Sequence, residues 1–148
     1  MTANIRGIEF QQGIWRFHPR THEFELFAEG GGNTWGIDFN PFGQLFAGGN
    51  TTEPLCHHVQ GAYYIKGFGK HGPLHNPYSY GYFSPVKHEG FLGSALTGGC
   101  IIYQGGLLPQ RVQESVIYPN LRVNAMRAAK LKAVGSTFET HFQEDLIL

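Results

Sequence analysis

The chain has 148 residues, enough for one domain with a core of its own, and 41% hydrophobic against 15% charged content excludes a disordered segment. Eleven Lys and Arg balance 11 Asp and Glu, so the net charge of zero lacks the basic footprint of a nucleic-acid binder. No apolar run approaches the ~20 residues of a membrane-spanning helix, and Met1-Thr2-Ala3-Asn4 shows neither the basic nor the apolar part of a signal peptide.

With 21 glycines, 14% aromatics and two methionines, the composition favours short strands and turns. In chain order, Gly13 to Phe17 (GIWRF) reads as a strand, His18 to His22 as a turn, and Glu23 to Ala28 (EFELFA) as the returning strand. Gly30-Gly31-Gly32 then frees the backbone for a crossing. Trp35, Ile37 and Phe39 alternate with Gly36 and Asp38, the period of a half-buried strand, which turns Asp38 to the solvent side. Asn40-Pro41-Phe42-Gly43 has the chemistry of a turn, since proline pre-sets one backbone angle and glycine accepts angles other residues avoid. Gln44 to Ala47 restarts a strand.

Leu55 to Val59 and Ala62 to Ile65 are short strands. Residues 67–96 form a long insertion, rich in Gly, Pro, His and Tyr, with little periodicity. Its aromatics predict order, packed by its own rings, and loops of such length in a compact domain are usually functional. Cys100 to Tyr103 and Ser115 to Tyr118 read as strands around a turn containing Pro109. Asn124 to Val134 (NAMRAAKLKAV) has helix-forming composition, yet Gly135-Ser136 and the strand-like Thr137 to Phe142 predict a hairpin arm.

These elements group into about three four-stranded sets of roughly 40–50 residues, the spacing of β-propeller blades. The predicted fold is all-β: a single domain, 1–148, forming about half of a six-bladed propeller with a long aromatic and His-rich insertion. Such a half ring has open blade edges that template pairing. The remaining blades or a second copy, closing the ring as a homodimer, are therefore the expected partners.

The candidate functional residues lie on loops and strand ends. Asn33 opens the inner strand at the channel mouth, where its amide either holds a ligand or caps the turn. His57 and His58 are adjacent on a strand, so only one can face a shared site. His58 is the better candidate for a general base or metal ligand, against a hydrogen-bonded structural role. Lys70, His71, His75 and Asn76 form a polar cluster on the insertion, where Gly72-Pro73 excludes a helical zinc pair. Tyr78, Tyr80, Tyr82 and Phe83 give either a stacking wall for a sugar ring or the insertion's own core. Cys56 and Cys100 are too few and too far apart for a zinc knuckle, and are either two separate thiols or a disulfide. There is no phosphate loop, no G-x-S-x-G and no paired-carboxylate signature.

NTWGIDFNPFGQLFAGGN, CHHVQGAYYIKGFGKHGPLHNPYSYGYF, GGCIIYQGGLLP and GSTFETHFQEDLI together resemble the membrane-bound dehydrogenase propellers of planctomycete-type bacteria. The resemblance spans residues 7–148, and HGPLHNPYSYGYF is its most specific part. It implies a parent protein oxidising sugars or related alcohols, in the periplasm or outside the cell. The c-type haem often joined to that family has no C-x-x-C-H here. More distantly, the pattern from Asn33 to Leu45 is similar to the soluble quinoprotein sugar dehydrogenases, which bind pyrroloquinoline quinone and calcium. That similarity implies a cofactor-binding Asn33. The residues themselves offer His58 as the catalytic candidate and Lys70, His71, His75, Asn76 and Tyr78 on the insertion as candidate substrate contacts. The chain departs from the quinoprotein pattern at Gly32, where a basic residue is usual, and at Gly49-Asn50-Thr51-Thr52, which offers no carboxylate to calcium. Two functions are therefore expected: a dehydrogenase-type propeller of which this chain alone is inactive, or a non-catalytic propeller module binding carbohydrate or a protein.

Overall fold

The computed structural model describes residues 10–49, 55–66, 81–89, 99–121 and 123–147. Among them are strands, turns and one short 3₁₀ turn, Gln110–Val112, and no α-helix. The first six strands are β1 (Gly13–His18), β2 (Glu23–Gly31), β3 (Thr34–Phe39), β4 (Leu45–Gly49), β5 (Leu55–His58) and β6 (Ala62–Lys66). The rest are β7 (Gly81–Phe83), β8 (Lys87–Glu89), β9 (Ile101–Ile102), β10 (Ser115–Asn120), β11 (Ala125–Val134) and β12 (Thr137–Ile147). They build three sheets, with strand orders β1-β2-β6-β7, β3-β4-β5 and β8-β12-β11-β10-β9.

The all-β expectation holds, and most turns form for the reasons expected. Asn40 organises the β3–β4 turn: its Oδ1 accepts from Phe42 N at 3.1 Å and Gln44 N at 2.9 Å, and Gly43 N donates to Asn40 O at 2.9 Å. The β11–β12 hairpin turns on Gly135, whose φ is +59°. The strand choice for the Ala-rich segment is correct, because fully buried Ala128 and Ala129 put the β11 backbone close to its neighbours and packing overrides helix propensity.

The middle sheet lies between the other two, and its side chains alternate. Phe46 and Leu55 join Val86, Cys100, Ile102, Val116, Tyr118 and Ala129 in the core against the third sheet. Leu45 and Ala47 pack with Ile14, and Cys56 packs with Ala28, Ala62 and Tyr64, against the first sheet. Period two thus sends alternate residues of β4 and β5 into two different cores. The chain passes from the first sheet to the second at Gly30-Gly31-Gly32, as the glycine run predicts. Gly30 has φ +95°, and a Cβ there would stand 1.9 Å from the Tyr64 carbonyl oxygen.

Two expectations are corrected. The Trp35-Ile37-Phe39 face is not the covered one: these side chains are 67%, 50% and 47% exposed. Asp38, expected toward solvent, is half-buried. Its Oδ2 accepts from Ile102 N at 2.7 Å, and Gly36 beside it admits the Gly99–Cys100 backbone to within 2.7 Å of where a Cβ would be. The β3 edge meets β9 through this small, polar face, which the alternation alone could not reveal. The second correction concerns the insertion, residues 67–96, expected to be irregular: its described part holds β7, parallel to β6, and β8, parallel to β12. β6 in turn runs parallel to β2, with Gly61 N donating to Phe27 O at 2.7 Å. Of the three sheets, the third contains the full four-stranded antiparallel meander, β9-β10-β11-β12, with β8 added in parallel on β12.

Gly30→Ala combines a positive φ with a collision against backbone, and is expected to cost more than about 4 kcal/mol. Gly43→Ala, at φ +75° with nothing within 4 Å of the new Cβ, is expected to cost about 1–2 kcal/mol. Urea unfolding of the two variants checks the difference, and equal losses would contradict the packing of Gly30 on β6.

Candidate functional site

The crossing from β2 to β3 shapes an open cleft of about 420 Å³. Phe10, Gln12, Gly32, Asn33, Thr34 and Trp35 line it. The Gln12 carbonyl accepts from Gly30 N at 2.8 Å, which ties the strand before β1 to the crossing. Gln12 is 6% exposed, and among the described residues neither its Oε1 nor its Nε2 has a hydrogen-bond partner. A buried amide without partners costs on the order of 1–3 kcal/mol, and Gln12 carries that cost beside the cleft. Asn33 lies on the same wall, half-buried, as the sequence reading of the strand opening implies. Trp35 stands beside it, largely exposed.

His58 lies beneath this crossing. A Cβ on Gly31 would be 3.9 Å from His58 Cε1 and 3.9 Å from Thr34 Oγ1. The imidazole is buried, 4.6 Å from the Tyr64 ring centroid, and among the described residues its Nδ1 has no hydrogen-bond partner. Burial, reinforced by His57, pushes its pKa down to about 3. The structure therefore places His58 as a buried neutral ring near Gly31 of the crossing, while Asn33 lies on the cleft wall, which His58 does not line. His57 points to the opposite face of β5, as adjacent strand residues must. It stacks on Phe46 at 5.0 Å and meets the Phe138 ring edge-on at 5.1 Å.

The third sheet carries a polar network that no sequence motif marks. His88 Nδ1 contacts Thr140 Oγ1, and its Nε2 is 3.3 Å from the Tyr118 hydroxyl. Arg127 pairs with Asp145 at 2.8 Å, directly across the β11–β12 ladder, and its guanidinium lies 5.1 Å from the Phe142 ring centroid. Burial, then the charges of Arg127 and His141, pushes His88 down to about 4. Burial pushes the Tyr118 hydroxyl up to about 12. The opposite face of β12 holds Glu139 and His141 beside Glu89, with ligand atoms within 4.8 Å of one another. Lys87 pairs with Glu89 at 2.8 Å and Lys132 with Glu139 at 3.2 Å. Two lysines neutralise the two carboxylates, so the chemistry of this group is that of an ion-pair network rather than a cation site. The hint available in sequence was the alternation Glu139-Thr140-His141, which puts Thr140 on one face and its neighbours on the other.

Lys70, His71, His75, Asn76 and Tyr78, expected as substrate contacts, lie outside the described residues. Cys56 and Cys100 are two separate buried thiols, raised by burial to about 12 and about 11. No helix among the described residues is long and apolar enough to cross a membrane.

These features define an all-β domain of three face-packed sheets, with a polar, aromatic-flanked cleft where the chain changes sheet. The chain belongs to the family described as a domain of unknown function, DUF7133, whose pattern matches residues 2–147. No curated protein and no solved structure matches it significantly.

An unfolded chain binds protons on histidines near pH 6.5, whereas folded His88 and His58 stay neutral down to about 4 and about 3. The unfolded state thus binds more protons as pH falls, and stability decreases with acidification. The loss begins near pH 6.5 at up to about 1.4 kcal/mol per pH unit for each histidine. The depressed carboxyls of Glu89, Glu139 and Glu144 lose their contribution only at still lower pH, so pH 6.5 to 5 isolates the histidines. Urea unfolding across that range should show the slope, and His88→Gln should remove one proton's share. A flat profile would contradict buried neutral imidazoles.

Proposed function

We propose that this domain is a segment of a dehydrogenase-type β-propeller whose cleft beside Asn33 binds a sugar or a related alcohol, and that this chain supplies binding rather than turnover. The observation that carries the reading is Gln12, a buried carboxamide in the wall of an open cleft, with no partner among the described residues. Asn33 adds a second carboxamide, and Trp35 an exposed aromatic face. Carboxamides hydrogen-bond hydroxyls as donor and acceptor together, and an aromatic ring covers the apolar face of a sugar. The propeller part rests on the β9–β12 meander, which has the up-and-down order of a blade, and on the face-to-face stacking of three sheets.

The enzyme reading is second, favoured by the closeness of His58 to the Gly31–Thr34 crossing. Its cofactor does not fit. Among the described residues no cationic side chain lines the cleft to meet the carboxylates of a quinone such as pyrroloquinoline quinone. The described residues around Asn33 also bring no carboxylate that would hold calcium. In this reading His58 positions the crossing and does not touch the substrate. The remaining blades or a second copy would cover Ile37 and Phe39, which continue the apolar face of β3 away from the cleft.

Trp15→Phe leaves Trp35 as the sole tryptophan. In that background, titration with glucose, galactose and glycerol should give a saturable fluorescence change with at least one of them. Trp35→Ala should abolish binding measured by calorimetry while leaving unfolding unchanged, and Gln12→Met should weaken it at least tenfold. Gln12→Met should also raise stability by about 1–3 kcal/mol, because an unpaired amide leaves the interior. Absence of any sugar response, together with a destabilised Gln12→Met, would overturn the binding reading. Dye-linked turnover with added quinone and calcium would overturn the assignment of this chain to binding alone.

A further inference from the structure

We propose that the cleft between the β7–β8 connection and the β11–β12 hairpin is a second binding site, for a small uncharged ring compound carrying one hydrogen-bonding group. The cleft encloses about 270 Å³ and is the more closed of the two described above. Drug-sized pockets begin near ~300 Å³, so this one suits a single ring with a substituent. Its walls are apolar, with Val59, Phe83, Pro85, Val134 and Phe138 contributing. Phe138 and Phe83 supply aromatic contacts of the kind that favour a planar guest.

One polar side chain is built into that wall. His57 lines the cleft and is 7% exposed, held by stacking on Phe46 and by the edge of Phe138. Its Nδ1 faces Thr137 Oγ1 at 3.4 Å, and its Nε2 makes no hydrogen bond among the described residues. A neutral imidazole carries one donor and one acceptor nitrogen, so Nε2 offers a guest a single hydrogen bond, given or taken according to the tautomer. Burial lowers the His57 pKa, so the ring is neutral at physiological pH and does not attract an anion. The charged residues at the mouth are already matched, Lys87 by Glu89 and Glu139 by Lys132 and His141. An ionic guest would find no unmatched counter-charge there, which selects a neutral one. The site lies on the third-sheet face of β5, opposite to the face of His58, so it is distinct from the cleft at Asn33.

Phenol and toluene are the probes, followed by proton–carbon NMR of the aromatic region of the whole chain. Phenol should shift the His57, Phe83 and Phe138 signals saturably, with a dissociation constant in the millimolar range, and toluene should bind more weakly. His57→Phe, which keeps the stack on Phe46, should weaken phenol at least tenfold and leave toluene within twofold. Should that variant fail to fold, Ser136→Trp on the exposed turn lines the same cleft and should block both probes while preserving the spectrum elsewhere. Glucose should leave these signals unmoved. No saturable shift with phenol, or shifts untouched by Ser136→Trp, would overturn the proposal.

Discussion

The structure depends on β4 and β5 of the middle sheet being buried on both faces. Strand β5 has four residues, Leu55 to His58, and all four are buried. A strand covered on both faces ordinarily reads as a continuous apolar run. Here the last two places are imidazoles, kept neutral by burial and held by aromatic rings: Phe46 and Phe138 for His57, Tyr64 for His58. The Tyr64 hydroxyl also donates to the His57 carbonyl, which locks β6 onto β5 although the two strands belong to different sheets. Because β4 and β5 feed alternate side chains into two cores, a change on either strand is transmitted to the first or the third sheet according to its parity.

That constraint also places both candidate sites. The Asn33 cleft lies where the chain leaves the first sheet for the second, at the crossing whose Gly31 approaches His58. The apolar cleft lies on the other side, where His57 meets the tip of the β11–β12 hairpin. Each site is therefore tied to one of two neighbouring histidines whose side chains cannot share a face. The polar network of His88, Tyr118 and Thr140 does a different job. It satisfies a buried imidazole from both ring nitrogens and pins β8 to β12, where few ladder bonds are available to a three-residue strand.

Parts of this arrangement were legible in the residues. Asn33 could be found because a glycine run precedes it and a clear strand follows it. The β3–β4 turn could be found because Asn40, Pro41 and Gly43 each have one dominant local use. The opposition of His57 and His58 follows from strand geometry alone. Gln12 was invisible, because a glutamine between two loop residues carries no signal until its burial is known. His88 was invisible for the same reason, sitting at the end of a segment without periodicity. Asp38 was assigned to solvent because alternation tells that two faces differ, not which one another sheet covers.

By itself the sequence determined the all-β class, the passage at Gly30 to Gly32 and the strands other than β7 and β8, because these follow from local period and from backbone freedom at single residues. Only the tertiary structure decided that β6 joins the first sheet, that β3 turns its aromatic face outward, and that Gln12 is buried without a partner among the described residues. Those outcomes depend on contacts between residues far apart in the chain. Ile102 N reaches Asp38, and Tyr64 O stands against Gly30, and no local pattern encodes either distance.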